Sequence, residues 1–168
     1  MTGGGIGTDI SVCRPSGRQL KSTGGVASGP IPLLKVLNEV GRNVMQGGSR
    51  RSALYGSINW QHEDAKEFLH VKNWHDMVIN GAFTDKGEPF TIADAKKADF
   101  NYAAPLDMMN ISLNYDDAWL NGNRHNDIFR DNCKQALMTG EPGFSFNFGE
   151  KSNETLRNAC TEITSEDD

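Results

Sequence analysis

The chain has 168 residues, 37% of them hydrophobic and 23% charged, and a formal net charge of −5. This is the composition of one ordinary globular domain or part of a larger one, and its acidic balance excludes broad binding to a nucleic acid backbone, which needs a basic stripe. No apolar run approaches the roughly 20 residues of a membrane-crossing helix, and the opening Met1-Thr2-Gly3-Gly4-Gly5 lacks the regions of a signal peptide, so a cytoplasmic protein is expected, with neither nucleic acid nor membrane as partner.

In chain order, Gly3-Gly4-Gly5-Ile6-Gly7 leads into Asp9-Ile10-Ser11-Val12, which alternates like a short strand. Arg14 to Gly25 follows as a flexible basic loop rich in turn formers. Ser28-Gly29-Pro30 opens a helix, with Ser28 as cap, and Leu33, Val36, Leu37, Val40 and Val44 define its buried face by spacing. A second glycine-rich basic loop, Gln46 to Ser52, precedes a strand over Ala53 to Trp60. Glu63 and Asp64 then sit in the first turn of a helix that buries Phe68 and Leu69. Thr84 to Pro89 is a turn, and Asn110 to Asn114 a strand. Asn126 to Thr139 is a helix with Ile128, Phe129, Cys133, Ala136 and Leu137 on its apolar side, closed by Gly140 and Pro142. Phe144, Phe146 and Phe148 alternate with polar residues as a further strand, with the rings expected in the core. Strands alternating with helices are the grammar of an α/β protein.

The cysteines, Cys13, Cys133 and Cys160, are widely spaced and odd in number, against both a disulfide framework and a closed zinc site. His62, His70, His75 and His125 show no ligand spacing with nearby carboxylates, so no metal site is expected. The run Asn158-Ala159-Cys160-Thr161-Glu162 is the most informative. On an extended segment it puts an amide, a thiol and a carboxylate on one face. A thiyl radical can take a hydrogen atom from carbon, a carboxylate can take the proton of a neighbouring hydroxyl, and an amide can hold a second hydroxyl. The pattern alone also describes a half-buried strand with a small apolar cysteine. The two glycine-rich loops could bind phosphate through exposed amides and Arg, or be ordinary surface turns. Neither has the spacing of a P-loop.

These runs occur in an order that resembles the large chains of ribonucleotide reductases. The resemblance is carried by Gly3-Gly4-Gly5-Ile6-Gly7, Arg14-Pro15-Ser16-Gly17, Thr23 to Pro30, Gln46 to Ser52, Glu141-Pro142-Gly143-Phe144 and Asn158 to Glu162, from end to end of the chain. Asn59-Trp60-Gln61-His62 and the ending Glu162 to Asp168 look most like the cobalamin-dependent branch. The fold this implies is part of a ten-stranded α/β barrel, with the radical cysteine on a finger loop near the C-terminus. Residues 1–168 would be a partial barrel domain, incomplete at both ends.

The resemblance implies that Cys160 is the radical cysteine and that Asn158 and Glu162 hold and deprotonate ribose hydroxyls. Gly5, Ile6 and Gly7 would border the substrate. Arg14, Arg18 and Lys21 lie in the stretch that resembles the first specificity loop, where a deoxynucleotide or ATP effector binds. Gln46, Gly47, Gly48, Ser49, Arg50 and Arg51 resemble the second loop, between effector and substrate base. The implied cofactor is adenosylcobalamin, and the implied reductant a thioredoxin-like dithiol acting through a tail outside this chain. The family's reducing cysteine pair also has no match here: Cys13 reads as structural and Cys133 as core. Two other readings stay open, a non-catalytic nucleotide-binding or assembly fragment that works with flanking reductase segments, and the large subunit of the di-metal class.

Overall fold

The computed structural model describes residues 5–44, 52–159 and 164–165. Its elements begin β1 (Ile6–Asp9), α1 (Ile31–Asn43), β2 (Leu54–Asn59), α2 (Ala65–His70), β3 (Val78–Phe83), β4 (Pro89–Thr91) and α3 (Ile92–Ala98). They continue β5 (Met109–Tyr115), α4 (Asp117–Leu120), α5 (Asp127–Thr139), β6 (Gly143–Phe146), a single 3-10 turn over Gly149–Lys151, β7 (Leu156–Arg157) and β8 (Thr164–Ser165).

β1, β2, β5 and β6 form one parallel sheet in that spatial order. Helices in the connections let strands run parallel, because a crossover needs a dozen or more residues. The alternation of side chains sorts the sheet into two unlike faces. One carries Ile58, Met109, Ile111, Leu113 and Tyr115, all in the hydrophobic core with Leu34 of α1 and Phe68 and Leu69 of α2. On the other, Gly7 lies opposite Tyr55, Tyr55 opposite Asn110, Ser57 opposite Ser112 and Asn114 opposite Ser145. The fold is thus α/β with a parallel sheet, as expected.

Several sequence expectations are corrected. The first strand ends at Asp9 instead of beginning there, and Val12 is 83% exposed. Residue 28 does not cap α1: Pro30 is the N-cap and no side-chain cap bond is made. The buried face of α1 is Ile31, Leu34, Asn38 and Gly41, whereas Leu33, Val36 and Val40 of the expected stripe are exposed. Two contacts fix this rotation. Gly41 lets the helix approach Leu54 and Ser52, where a Cβ would lie 2.6 Å from Leu54 Cδ1. Asn38 accepts the backbone N–H of Met108 at 2.8 Å, so a polar side chain is buried in preference to a valine.

α5 begins and ends where the sequence indicates. Asn126 caps it by accepting the N–H of Phe129, and Gly140 closes it at φ 83°, in the left-handed region that favours glycine. Leu137, expected on the buried side, is 89% exposed, while Asn132 and Gln135 are buried. Phe144 and Phe146 are half-exposed, and the buried residues of that segment are Ser145 and Asn147. The phenylalanines pack with Tyr115 and Trp119 on the helix side of the sheet. The turn at 84–89 joins β3 to β4 in an antiparallel hairpin, and Thr91 and Asp94 form a capping box for α3. No helix among the described residues is long and apolar enough to cross a membrane.

Candidate functional site

The C-terminal segment folds back on the sheet. β7 pairs antiparallel with β8, Leu156 opposite Ser165 and Arg157 opposite Thr164. In sequence, residues 158–163 lie between the two strands of this two-residue ladder. Asn158 and Ala159 belong to the described residues, and Cys160 and Glu162 lie outside them. The strand expected to run through Asn158 stops at Arg157, and Ala159 sits in a turn.

The hairpin is received by Gly7 of β1 and by Gly5 just before that strand. A Cβ at Gly7 would lie 1.6 Å from the carbonyl oxygen of Arg157, and one at Gly5 would lie 2.5 Å from Ala159 Cβ. Real Cβ atoms never approach backbone so closely, so any side chain at residue 7 must displace the hairpin. Asn110 of β5 donates its amide to the carbonyl of Ala159 at 3.2 Å. Arg157 donates to Asn147 Oδ1. Burial pushes the Tyr55 hydroxyl above its ordinary pKa, against the opposing influence of Ser112, the Arg157 charge, Ser145 and Ser57. That hydroxyl has no hydrogen bond of acceptable geometry.

Beside Ala159, at the starts of β2 and β5, lies a cavity of about 250 Å³ that Leu54, Lys72, Asp107 and Asn110 help to line. Lys72 is held by the Met109 carbonyl at 2.8 Å and by the Glu141 carboxylate. Asp107 lies between Arg42 and Lys96, at 2.5 and 2.7 Å. Burial alone would raise the Asp107 pKa, but the hydrogen bonds and charges of Arg42 and Lys96 outweigh it and hold it at about 2. These ion pairs brace the rim of the cavity.

The basic loop is more ordered than expected. Gln19 and Val26 form an antiparallel bridge, and Leu20 and Ala27 donate to the carbonyls of Gly25 and Arg18 at 2.7 and 2.8 Å. Arg14, Arg18 and Lys21 line one cavity of about 550 Å³. Arg18 is also paired with Glu63, which raises its pKa and lowers that of Glu63, chiefly through their hydrogen bond. The second loop, Gln46 to Arg51, lies outside the described residues.

The whole chain, residues 1–168, matches the family described as ribonucleotide reductase, barrel domain. The chain belongs to this family. It is similar to the vitamin B12-dependent ribonucleoside-diphosphate reductase of Thermoplasma acidophilum (strain ATCC 25905 / DSM 1728 / JCM 9062 / NBRC 15155 / AMRC-C165), 38% identical over 79 residues, 47% of this chain and 10% of that protein. It is similar to the vitamin B12-dependent ribonucleoside-diphosphate reductase of Mycobacterium tuberculosis (strain CDC 1551 / Oshkosh), 39% identical over 70 residues, 42% of this chain and 10% of that protein. A ribonucleoside-diphosphate reductase large subunit of Plasmodium falciparum (isolate FCR-3 / Gambia) is 36% identical over 75 residues, 44% of this chain and 9% of that protein. The matched segments thus span about a tenth of each relative's length.

Within this barrel domain the structure brings Gly5 and Gly7 against the hairpin that leads to Asn158. Ile6, expected beside them, is 62% exposed and faces away. Cys13 packs against the core, and Cys133 is partly buried; both are free thiols. Trp60 is in the core, its indole N–H donating to Asp116 at 3.0 Å, and Trp74 donates to the carbonyl of Pro105 at 3.0 Å. Among the described residues no group of three or more His, Cys, Asp or Glu side chains could hold a metal. The sequence reading missed Asn110, Ser112 and Asn114. Their signal was the polar half of an alternating strand in a parallel sheet, where both faces are normally apolar.

Proposed function

We propose that this chain supplies part of the reactive centre of a ribonucleoside-diphosphate reductase, with Cys160 as the radical thiol. In this reading the Cys160 thiyl takes the hydrogen atom from C3′ of the ribose. Asn158 holds one ribose hydroxyl and Glu162 takes the proton of another. The 2′ hydroxyl then leaves as water, the 2′ carbon is reduced with two electrons from a dithiol that becomes a disulfide, supplied by flanking reductase segments and a thioredoxin-like partner, and Cys160 returns the hydrogen atom to C3′. Arg14, Arg18 and Lys21 contact the phosphates of a deoxynucleotide or ATP effector, and Arg50 and Arg51 read it. The observation that carries the reading is the seat of the hairpin. Gly7 of β1 and Gly5 just before it, both free of a side chain, receive Arg157 and Ala159, which precede Cys160 in the chain. A sheet of four parallel strands also supports residues 1–168 as one part of a larger barrel.

The relatives named vitamin B12-dependent support the adenosylcobalamin class, in which the cofactor supplies the radical when bound. The cavity beside Ala159, about 250 Å³, falls short of the roughly 300–1,000 Å³ that holds even a drug-sized ligand. That cavity by itself is too small to enclose a corrin, and no step is assigned through the cofactor. The relatives named large subunit support the di-metal class as a second reading.

The test is Cys160→Ser in the complete reductase, assayed for deoxynucleotide formation with and without adenosylcobalamin. Turnover should vanish while nucleotide affinity is kept. Retained turnover overturns the assignment of Cys160, and turnover of the parent enzyme without cobalamin overturns the class.

A further inference from the structure

At the other end of the strands from Ala159 lies a separate cavity of about 270 Å³. Asp9, Asn59, Asn114 and Asp116, at or just beyond the C-terminal ends of β1, β2 and β5, form one side of it, and Asn147 and Thr155 contribute from the chain leading to β7. Every residue lining it carries a side-chain oxygen, and none is basic or apolar.

Hydrogen bonding inside this cavity is unbalanced. Asn114, 2% exposed, donates its Nδ2 to Asp9 Oδ2 and Ser57 Oγ, both at 3.1 Å. A carboxylate only accepts, which fixes the amide orientation. The Asn114 Oδ1 atom is then buried with no partner, as is Thr155 Oγ1. Such orphaned acceptors are rare in folded proteins and costly, at about 1–3 kcal/mol each. The two carboxylates have capacity left as well. Asp9 Oδ1 takes both the N–H and the hydroxyl of Ser11, leaving Oδ2 with the one bond from Asn114. Asp116 Oδ1 takes the indole of Trp60 and the N–H of Trp119, leaving Oδ2 with the one bond from Asn59. Burial alone would raise the Asp116 pKa, but the bonds from Trp60, Asn59 and Trp119 outweigh it and keep the group ionised.

We infer that this cavity is a site for a hard divalent cation, Ca²⁺ or Mg²⁺, held by Asp9, Asp116, Asn114 Oδ1 and Thr155 Oγ1. Two negative charges and two unpaired neutral oxygens, with no cationic side chain in the lining, match what such ions require: oxygen ligands only, carboxylates mixed with amide carbonyls, and water in the remaining positions. Water alone could satisfy the orphaned atoms but would bring no positive charge to the two carboxylates, whose hydrogen-bond donors are all neutral. The ion would tie the segment before β7 to the ends of β1 and β5, and so hold the root of the hairpin from the end opposite its tip.

Tb³⁺, a luminescent substitute for hard divalent ions, tests this directly, because Trp60 donates to Asp116 and can excite a lanthanide bound there. Titrating the 168-residue chain with Tb³⁺ should give saturable, tryptophan-sensitised emission, displaced by Ca²⁺ or by Mg²⁺, and the better competitor identifies the ion. Asp9→Asn and Thr155→Val should each weaken binding by about tenfold or more. The near-isosteric Thr155→Val should keep the near-ultraviolet circular dichroism of the parent, which separates loss of a ligand from loss of fold. Absent emission, emission that neither Ca²⁺ nor Mg²⁺ displaces, or equal affinity in a folded Thr155→Val variant each overturns the site. None of these outcomes depends on the role given to Cys160.

Discussion

The two faces of the parallel sheet are both buried, yet they are built on opposite rules. On the helix side Ile58 and Leu113 are fully buried among apolar neighbours. On the hairpin side Ser57, Asn114 and Ser145 are 0%, 2% and 3% exposed and are surrounded by other polar groups. The apolar face follows the usual economy of an α/β core, where burial of hydrocarbon offsets the entropy of ordering the chain. The polar face does not. Tyr55, Asn114 and Ser145 each hold a buried atom without a hydrogen-bond partner. Buried polar groups that are not satisfied mark places where something other than stability set the sequence. One face holds the fold together. The other gives the hairpin room and lines two polar cavities, one at each end of the strands.

Substitutions on each face can break or sharpen this contrast. The largest effect is expected on the helix side. Leu113→Ala removes a fully buried side chain and should cost about 2–5 kcal/mol of stability in denaturant unfolding. A cost below about 1 kcal/mol would mean that the helix side is not the stabilising face.

Gly7→Ala comes next and should act on the site more than on the fold. Its new Cβ meets the Arg157 carbonyl, 1.6 Å away, so the hairpin must shift. Displacement of about 1 Å at a reacting centre can cost a hundredfold in rate. With Cys160 in the role proposed above, the complete reductase should lose about that much in kcat while the unfolding midpoint of the domain changes little. Unchanged kcat would dissociate Gly7 from the chemistry proposed for the segment after Arg157.

Ser145→Ala should do least. The Ser145 hydroxyl is buried without a partner, so its removal relieves a desolvation cost and should leave stability within about 0.5 kcal/mol of the parent or slightly above it. A loss of more than about 1.5 kcal/mol would show that this hydroxyl is bonded in the folded protein.

How far each of these features could be read in advance depended on how local its cause was. The α/β order, the strands at 54–59 and 109–115, and the span of α5 were legible because alternation, an Asn cap and a closing glycine act within a few residues of themselves. The motif order made the reductase resemblance visible, and the glycines at 5 and 7 already indicated close approach without naming what approaches. What the sequence could not decide was direction. The helical spacing of Leu33, Val36 and Val40 is as regular as that of Ile31, Leu34, Asn38 and Gly41, and the more apolar stripe proved to be the exposed one. The choice lies with Met108, Asp107 and Leu54, which meet that face of α1 from elsewhere in the chain. The same holds for Phe144 and Phe146 against Ser145. Alternation says that two faces differ, and only the packing of α5 and the hairpin on opposite sides of the sheet says which face each residue joins. The cavity formed by Asp9, Asn59, Asn114 and Asp116 is a still stronger case. Its residues come from three strand ends and the turn beyond β5, separated by up to 107 positions, and only parallel pairing in register brings their oxygens together.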